Sequence, residues 1–570
     1  MDVNNFAAYP RISSIQLLNE SIALDAGNLV VVVGPNNSGK SHFLDQLEAR
    51  LVGEDSEVTK ENEGLTKHLS IDWGPIKSFQ ENEFRALARD VIGQENRYGF
   101  FEPETLPNFR TRGSTTLDEL ISTVEAGSRL GAWTSSFVRR DAPLSRVSEA
   151  DPKQLSSENS FSRVYRNEKL IQNVSHYFNR IFHENISAYL ADSGQIAFKM
   201  GKAFGSSGSF ESGMSPEYLK ALNTAPKLWR QGLGMRSVAG LLIRIYSDPR
   251  PIVLIDEPEA FLHPPQAAAL GEVLKEISVN EKRQFFCATH DRNLLSGISR
   301  KSQGAFSIIR LNRAGDPHSK ISRQFDYTLV PSDFDRNIKN HCRIRHSSIL
   351  EGLFADVAII VENETDALFY EESLDFYWRQ QGPESISRRV TPHFVNISGK
   401  SNAPSTIKLL ALLATPVVAI LDSDIIVNKK EFKKTLETLG NKDIQKIIEL
   451  REKMEKAVAE REPLPAKSEN NYDNKLREIF AGKLKHVTPE SYMAPLLREM
   501  NLLLKNSGLC LPPEGELEDF DRSITANKAN WVRDALDTKL HETMKVQNFI
   551  SRVISECHYQ LSQNQSTSSL

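Results

Sequence analysis

The chain has 570 residues and a mass of 64.2 kDa, so at about 150 residues per domain we expect three or four structural units. Hydrophobic residues make up 39% and charged residues 25%, which is a globular composition, and no run of 18 apolar residues could span a bilayer. A formal net charge of −4 excludes an indiscriminately polybasic protein but leaves room for a local basic groove.

The cysteines and the N-terminus indicate the compartment. Four cysteines lie far apart without a CxxC pair, at positions 287, 342, 510 and 557. This spacing excludes a zinc ribbon and gives no disulfide framework, so we expect reduced and mostly buried thiols. The first five residues, Met1 to Asn5, lack the basic start and apolar core of a signal peptide, so we expect a cytoplasmic protein.

A strand, a glycine-containing loop and a helix are predicted near the N-terminus. Strands are expected around 12–18 and 28–33, and the second is a continuous apolar run that fits a strand buried on both faces. From Ser41, apolar residues recur on one helical face. Residues 54–225 have weak periodicity and predict a mostly helical insertion with a flexible Gly/Ser-rich loop at 201–215.

The loop between this strand and helix fits the phosphate-binding pattern. Its residues are Gly34, Pro35, Asn36, Asn37, Ser38, Gly39, Lys40 and Ser41. Small residues let backbone N–H groups turn toward phosphates, and the helix N-terminus adds a favourable dipole. Lys40 is expected to reach the β- and γ-phosphate oxygens of ATP, and Ser41 to ligate Mg²⁺.

A second predicted strand ends in two acids that are expected to lie at the same nucleotide site. The apolar run 251–255 ends at Asp256 and Glu257, followed by a further strand at 284–288. We expect Asp256 to hold the nucleotide's Mg²⁺ and Glu257 to polarise the attacking water.

These motifs resemble those of the ABC-type ATPases. His290 stands where that family carries its switch histidine, 34 residues after Asp256 (290 − 256). The family's signature segment should precede Asp256, and Gly232 to Gly240 matches it in position but departs from Leu-Ser-Gly-Gly-Gln. An ordinary helix N-cap is the alternative interpretation of that segment.

A second α/β alternation begins after a change of pattern at 331–348. Strands are predicted at 357–361, 394–397, 417–421 and 509–511, and Lys429 to Arg461 reads as an exposed helical hairpin. The predicted fold class is therefore α/β with two domains. The ATPase domain is placed at 1–345, and a second domain at 346–570 carries a helical insertion at about 428–505.

Acidic residues follow two strands of the second domain. Glu362 ends the first strand, and Asp422 and Asp424 follow the third. Ligand sites collect at the carboxyl ends of parallel strands, so these acids should converge. Three converging carboxylates would repel one another unless a hard cation neutralised them, which predicts Mg²⁺ or Mn²⁺.

This pattern resembles the Toprim fold over about residues 350 to 520. That fold is shared by topoisomerases, bacterial primases and a group of nucleases, and its strand-end Glu and Asp-x-Asp bind metal for phosphodiester chemistry. The resemblance makes Glu362 an acid/base or metal carboxylate and Asp422 and Asp424 metal ligands. Asn363 stands where the family usually has glycine, and asparagine tolerates the left-handed backbone angles of such a turn.

Over nearly its whole length the chain resembles the OLD (overcoming lysogenization defect) nucleases, which join an ABC-type ATPase to a Toprim domain. The segments that support this resemblance are 256–264, Asp-Glu-Pro-Glu-Ala-Phe-Leu-His-Pro, and 511–518, Leu-Pro-Pro-Glu-Gly-Glu-Leu-Glu. The resemblance makes Glu518 a fourth metal carboxylate. It also makes Lys528 a catalytic cation near the scissile phosphate, with a solvated surface lysine as the alternative.

The resemblance implies an ATP-binding, ATP-hydrolysing, metal-dependent endonuclease that cuts DNA, with RNA as a further substrate class. It implies a homodimer or dimer of dimers, and a role in antiphage defence. The family includes retron effectors, so a regulatory nucleic acid and a reverse transcriptase are expected partners, with no membrane. The alternative is a DNA-binding clamp ATPase whose Toprim domain is structural.

Overall fold

The computed structural model describes most of the chain outside its N-terminal insertion. The described residues are 11–17, 20–24, 28–36, 38–52, 66–72, 135–138, 164–165, 167–190, 196–202, 215–247, 252–300, 306–313, 325–330, 348–382, 389–397, 399–412, 415–465, 471–485, 487–513, 515–525 and 528–567. The chain divides into two compact units. The first comprises 1–33, 39–309 and 331–340, and the second comprises 34–38, 310–330 and 341–570.

The first unit is a mixed α/β structure. Its strands are β1 (Arg11–Leu17), β2 (Glu20–Ala23), β3 (Leu29–Val33), β4 (Thr66–Asp72), β5 (Ser135–Val138), β6 (Asn185–Leu190), β7 (Ile196–Gly201), β8 (Ile252–Asp256), β9 (Gln284–Ala288) and the first half of β10 (Phe306–Arg313). Its helices are α1 (Lys40–Val52), α2 (Glu168–Phe182), α3 (Pro216–Thr224), α4 (Leu233–Ser247), α5 (Pro264–Asn280) and α6 (Arg292–Arg300).

A parallel sheet forms the centre of this unit. The four parallel strands lie in the order β5, β8, β9, β3, and β10 lies beside β3. Strands β3, β8 and β9 are almost completely buried, as their continuous apolar sequences predict. The register pairs Val31 with Cys287 and Asp256 with Ala288, so the residues that follow β3, β8 and β9 emerge at one edge. This edge carries the predicted ATPase residues.

The described part of 54–225 differs from the mostly helical insertion that its weak periodicity predicts. It contains the strands β4 to β7 as well as helices α2 and α3. Strand β4 pairs antiparallel with β1, and β5 adds to the edge of the central sheet beside β8. The prediction missed β4 and β5 because both pair with segments far away in sequence, which local periodicity does not report. It also missed β6 and β7, which pair with each other as a hairpin. Most of the predicted loop at 201–215 lies outside the described residues.

The second unit contains the strands and helices of the C-terminal half. Its strands are the second half of β10, β11 (Phe325–Val330), β12 (Val357–Val361), β13 (Pro392–Asn396), β14 (Val417–Ile420) and β15 (Leu509–Cys510). Its helices are α7 (Glu364–Gln380), α8 (Ala403–Leu412), α9 (Lys429–Thr438), α10 (Ile444–Arg461), α11 (Tyr472–Lys485), α12 (Met493–Leu503), α13 (Lys528–Asp537) and α14 (Met544–Thr567).

Four parallel strands organise this unit in the order β13, β12, β14, β15. Strands β12 and β14 are buried along their whole length. Helices α7, α13 and α14 contribute side chains to the core beside the sheet, including the fully buried Trp531. Because all four strands run in one direction, their carboxyl ends lie along one edge of the sheet.

The predicted helical hairpin is present as α9 and α10, and α11 and α12 extend it to four helices between β14 and β15. Within the described residues no helix combines the length and apolar character needed to cross a bilayer. Cys287, Cys510 and Cys557 are buried free thiols, as expected, whereas Cys342 lies outside the described residues.

Candidate nucleotide and metal-binding sites

Lys40 is the first residue of α1 and is almost completely buried. Burial lowers the pKa of its ammonium group, and the negative charges of Glu257, Asp256 and Glu259 oppose that effect. The lysine therefore faces three carboxylates delivered by the loop after β8. This is the charge arrangement that a phosphate-binding lysine and a metal-binding acid need before nucleotide enters.

Glu257 is held in an uncommon backbone conformation directly after β8. Its φ of 45° lies in the left-handed region, which costs a non-glycine residue on the order of 1 kcal/mol. The Glu257 N–H donates to the carbonyl oxygen of Ala288 at 2.9 Å, which continues the pairing of β8 with β9 and fixes the turn. The pairing of β8 with β9 thus fixes the backbone position of Glu257.

His290 joins Glu257 at this edge. Its Nδ1 lies 3.1 Å from Glu257 Oε1 and 3.8 Å from Glu259 Oε1. The structure therefore brings together Lys40, Asp256, Glu257 and His290, the residues that the sequence motifs predict.

Glu259 is a buried acid that the sequence analysis quoted but did not assign to the site. Its Oε1 accepts hydrogen bonds from Thr289 Oγ1 at 2.6 Å and from the His290 N–H at 3.3 Å. Burial raises the pKa of Glu259 to about 7 despite these hydrogen bonds. Glu259 thereby fixes the loop that carries His290.

The rest of the phosphate loop is described in part. Ser38 N–H donates to the Pro35 carbonyl at 3.2 Å, and the Phe43 N–H donates to Gly39 at the start of α1. Gly34 is buried, Asn36 and Ser41 are exposed, and Asn37 lies outside the described residues. An exposed Ser41 hydroxyl at a helix start is accessible to a bound cation.

The predicted signature segment forms the first turns of α4. A Cβ on Gly234 would lie 2.6 Å from the Phe261 carbonyl oxygen, so only glycine fits where the loop after β8 crosses α4. Leu233 and Phe261 remain 47% and 60% exposed beside this crossing. The glycine therefore permits close contact between α4 and the loop after β8, and whether the segment also contacts nucleotide stays a prediction.

In the second unit, Glu362 and Asp422 meet at the sheet edge. Glu362 directly follows β12, and its Oε1 accepts a hydrogen bond from the Asp422 N–H at 3.1 Å. Both residues are buried. The Ser423 N–H donates to the Gly515 carbonyl at 2.8 Å, which connects the Asp-x-Asp turn to the segment after β15.

Asp424 lies in the 3-10 helix Ser423–Val427 and forms an ion pair with Lys400 through Oδ2. Its other carboxylate oxygen, Oδ1, is buried and accepts no hydrogen bond from any described residue. A buried carboxylate oxygen with that environment is suited to a cation.

Glu518 belongs to the same electrostatic environment. Burial raises the pKa of Tyr370 well above its ordinary value, and the negative charges of Asp366, Asp422 and Glu518 raise it further. The charges of these three carboxylates therefore all act on one buried tyrosine. Asp366 is buried in the first turn of α7, four residues after Glu362 (366 − 362).

Lys485, at the end of α11, faces these acids from the helical insertion. Its Nζ lies 3.1 Å from Glu516 Oε1, and the hydrogen bond to Glu516 raises the pKa of Lys485, with Asp424 and Asp422 contributing at longer range. A Cβ on Gly515 would lie 2.5 Å from the Lys485 carbonyl oxygen, so glycine permits the close approach of α11.

The carboxylates of this unit are the type of ligand that a hard cation prefers, but their side chains are not arranged as a complete set of metal ligands. Within the part of the chain that the structure describes, no three His, Cys, Asp or Glu side chains form a metal-binding group. Oxygen-only donors and the buried Asp424 Oδ1 favour Mg²⁺ or Mn²⁺. Lys528 begins α13, but its side chain lies outside the described residues.

Besides Glu259, three residues near the acids of the second unit were not predicted from the sequence: Asp366, Lys400 and Lys485. Asp366 had a detectable signal, because a carboxylate in the first turn of a helix after a strand-end Glu is well placed to join it. Lys400 follows β13, whose carboxyl end lies at the same edge, so sheet order could have found it. Lys485 had no local signal, since only tertiary packing of α11 brings it close.

Two family models match the chain. The family described as "AAA domain, putative AbiEii toxin, Type IV TA system" matches residues 29–296, from β3 to α6. The family described as "Overcoming lysogenization defect protein-like, TOPRIM domain" matches residues 353–424, which include Glu362, Asp422 and Asp424. The chain is an ATPase–TOPRIM fusion of the OLD type.

This OLD-type chain has no match among curated proteins. Among solved structures it is similar to an SMC head bound to the C-winged helix domain of ScpA, with 16% identity, a TM-score of 0.33 and coverage of 58% of this chain and 100% of that one. A second similar structure is the Smc head domain with an extended coiled coil bound to the C-terminal domain of ScpA, derived from Pyrococcus furiosus. Its sequence identity is 14% and its TM-score 0.32, and the match covers 59% of this chain and 100% of that one. The SMC head domain from Thermotoga maritima has 12% identity and a TM-score of 0.28, and the match covers 56% of this chain and 99% of that one.

Proposed function

We propose that this OLD-type protein is an ATP-hydrolysing, divalent-metal-dependent endonuclease that cuts DNA. One observation carries the proposal: in a chain that also has a phosphate-binding loop, the Glu362 carboxylate accepts a hydrogen bond from the Asp422 N–H at the carboxyl edge of the TOPRIM sheet. Asp424 follows in the next turn, with a buried carboxylate oxygen that accepts no hydrogen bond from a described residue. Buried carboxylates at strand ends do not contribute to core packing through their charge, so their presence indicates a functional role.

In the ATPase domain, the residues divide the work of phosphoryl transfer. Lys40 would contact the β- and γ-phosphate oxygens, and Asp256 with Ser41 would hold Mg²⁺. Glu257 would orient the attacking water and accept its proton. His290, 3.1 Å from Glu257, would contact the γ-phosphate and hold Glu257 in place.

In the TOPRIM domain, Glu362, Asp366, Asp422, Asp424 and Glu518 are the carboxylates that would hold Mg²⁺ or Mn²⁺. A bound divalent cation supplies charge stabilisation for the developing phosphorane. Glu362 has a second task, because a carboxylate beside Asp422 at the strand end can accept the proton of an attacking water. Lys528 remains the proposed cation for the scissile phosphate.

A polyanionic substrate is supported by the surface next to this site. Helix α9 begins five residues after Asp424 (429 − 424) and exposes Lys429, Lys430, Lys433 and Lys434. Lys430 and Lys434 form no ion pair with a described residue, so their charge is available to a phosphate backbone. DNA is the substrate that we propose, and RNA shares the same backbone charge.

The biological part of the proposal is antiphage defence in the cytoplasm, where ATP and foreign nucleic acid meet. It is supported by the OLD-type domain pair. The protein would act as a homodimer or dimer of dimers. If it is a retron effector, a reverse transcriptase and a regulatory nucleic acid are its partners.

A second candidate is a DNA-binding clamp ATPase with a structural TOPRIM domain. The ion pair between Lys400 and Asp424 favours it, because a permanently neutralised Asp424 could not bind metal. The two candidates differ in whether removing the TOPRIM carboxylates changes catalysis.

The deciding experiment compares cleavage with phosphate release. Asp422→Asn with Asp424→Asn should lower Mg²⁺- or Mn²⁺-dependent DNA cleavage by at least about a hundredfold, since a metal ion supplies several kcal/mol of stabilisation. ATP hydrolysis should stay near the parent rate, because Lys40, Asp256 and Glu257 belong to the first unit, whereas Asp422 and Asp424 belong to the second.

Two controls accompany this test. Asp443→Asn removes an exposed carboxylate of the insertion that pairs with Lys446, and both activities should persist. Lys40→Ala should remove ATP hydrolysis. If the Asp422/Asp424 double variant cut DNA as fast as the parent, the nuclease site would be wrong and the clamp would be favoured.

A further inference from the structure

Lys400 lies on a short loop between β13 and α8 that is anchored to the TOPRIM acids through its backbone. The Gly399 N–H donates to the Glu362 carbonyl oxygen at 3.2 Å, and the Asn402 N–H donates to Gly399 at 3.1 Å. Asn402 Nδ2 also donates to the Ile397 carbonyl at 2.9 Å. These bonds hold the loop without involving the Lys400 side chain.

The ammonium group of Lys400 contacts Asp424 Oδ2. The Asp424 side chain is only 13% exposed and that of Lys400 is 33% exposed. Solvent screens this pair less than it screens a surface ion pair, so the contact contributes to the charge balance of the site. The Lys400 side chain is nevertheless exposed enough for its ammonium group to move away from Asp424.

Charge balance explains why a lysine lies there. Glu362 and Asp422 are buried side by side, and Asp424 follows two residues later. Converging carboxylates raise one another's energy unless a positive charge is close. The second lysine near these acids, Lys485, is paired with Glu516 instead. Among the described residues, Lys400 is therefore the cation that touches the Asp-x-Asp motif.

We propose that Lys400 is a displaceable counter-ion that occupies the place of a divalent metal on Asp424. The inference rests on the proposed nuclease function. Metal binding moves the ammonium group from Asp424, and the anchored loop keeps Lys400 at the site, where it contacts a phosphate oxygen of the substrate. One side chain thus stabilises the metal-free site and then contributes positive charge to the loaded one.

The anchoring of the loop distinguishes this role from a permanent structural ion pair. Because backbone hydrogen bonds from Gly399 and Asn402 define the loop, the four-carbon lysine stem can change its rotamer without loss of the fold. A purely structural pair would instead lose both fold and metal affinity when the lysine is removed.

The test measures Mn²⁺ binding by the full-length protein with isothermal titration calorimetry in the absence of nucleotide. Lys400→Met should bind Mn²⁺ about tenfold more tightly, because the metal no longer displaces a positive charge. Lys400→Arg should stay near the parent affinity. Lys408→Met removes an exposed lysine of α8 and is the matched control, with no change expected.

Two further measurements complete the test. In EDTA, Lys400→Met should melt below the parent protein, and added Mn²⁺ should raise its melting temperature by more than it raises that of the parent. With Mn²⁺ saturating, DNA cleavage by Lys400→Met should be at least about tenfold slower, since a phosphate contact is lost. In an Asp424→Asn background, Lys400→Met should leave Mn²⁺ affinity unchanged.

The outcomes separate this inference from the nuclease proposal. Equal Mn²⁺ affinity of Lys400→Met and the parent would overturn the counter-ion role while leaving the metal site intact. Weaker affinity in Lys400→Met would overturn it in favour of a structural pair. If no Mn²⁺ bound to the parent or to any variant, both the inference and the metal-dependent nuclease would be wrong.

Discussion

At the scale of single residues, Glu257 shows how backbone strain and pairing prepare an ATPase site. Its left-handed φ is maintained by the hydrogen bond to Ala288, and its carboxylate contacts His290. Strained positions persist where the surrounding structure fixes them, and they concentrate at functional sites. The backbone strain and the contact with His290 therefore support the proposed catalytic role of Glu257.

We predict that Glu257→Gln binds ATP but hydrolyses it about 10²- to 10⁴-fold more slowly, which is the usual contribution of a general base. The glutamine keeps the shape of the side chain, so nucleotide should remain bound and unhydrolysed. Phosphate release and retained ATP are the measurements. Glu272→Gln, on α5, is the control and should retain full activity. Hydrolysis at the parent rate would remove Glu257 from the role of base.

Glu259 gives a prediction about pH. Burial raises its pKa from 4.5 to about 7, so the folded protein retains this proton at pH values where the unfolded chain has lost it. The stabilisation is complete below pH 4.5 and is lost as the pH rises to about 7, a change on the order of 3 kcal/mol.

Glu259→Gln should remove this dependence, because glutamine resembles the protonated acid at every pH. We expect the variant to be stabilised relative to the parent as the pH rises from 5 to 8, with little difference at pH 4. Melting temperatures of both proteins across this range are the measurement. If the difference in melting temperature between the two proteins were the same at every pH, the pKa of Glu259 would not change on folding.

At the scale of elements, a buried arginine of the helical insertion holds the 3-10 helix that carries Asp424. Arg451 of α10 donates to the carbonyl oxygens of Ile426 at 3.1 Å and Val427 at 2.8 Å, and it pairs with Glu455. Those carbonyls belong to the 3-10 helix that carries Asp424. The insertion therefore positions a site residue as well as presenting a basic surface.

Arg451→Met should destabilise the protein by roughly 2–4 kcal/mol, because it leaves buried carbonyl oxygens without donors. We also expect DNA cleavage to fall by about tenfold or more, as is usual for groups that orient metal ligands. ATP hydrolysis per folded molecule should not change. Lys453→Met, an exposed position on the same helix, is the control. Normal cleavage by a folded Arg451→Met would show that α10 does not position Asp424.

At the scale of the whole molecule, the first unit exposes two large apolar side chains, Leu233 and Phe261. Leu233 belongs to the segment that the ABC-type resemblance assigns to contact across a dimer, and the carbonyl oxygen of Phe261 lies against Gly234 of that segment. Exposed apolar patches of this kind mark interaction sites, and symmetric homo-oligomers are the commonest assembly.

We therefore predict that the ATP-bound Glu257→Gln protein is a dimer or dimer of dimers in light scattering. Leu233→Glu with Phe261→Glu should reduce that mass to the monomer and lower ATP hydrolysis by about tenfold or more, since two charges would be buried at the interface. Leu502→Glu changes an exposed leucine on α12 and is the control. A monomer with full ATPase activity would exclude the dimer.

The sequence alone determined the elements whose information is local. The buried strand before Lys40, the acid pair after β8 and the Asp-x-Asp after β14 were all predicted, because continuous apolar runs and strand-end acids need no distant partner to be recognised. The two-domain α/β class and the helical hairpin at 429–461 followed from the same periodicity.

Only the tertiary structure decided which residues meet. Strands β4 and β5 were missed because they pair with β1 and β8, far away in the chain. Lys400 and Lys485 come from different connections and reach the same acids only after the sheet and α11 have packed. Local periodicity records which face a residue buries, whereas contacts between distant segments depend on strand order and helix packing, and these are properties of the folded chain.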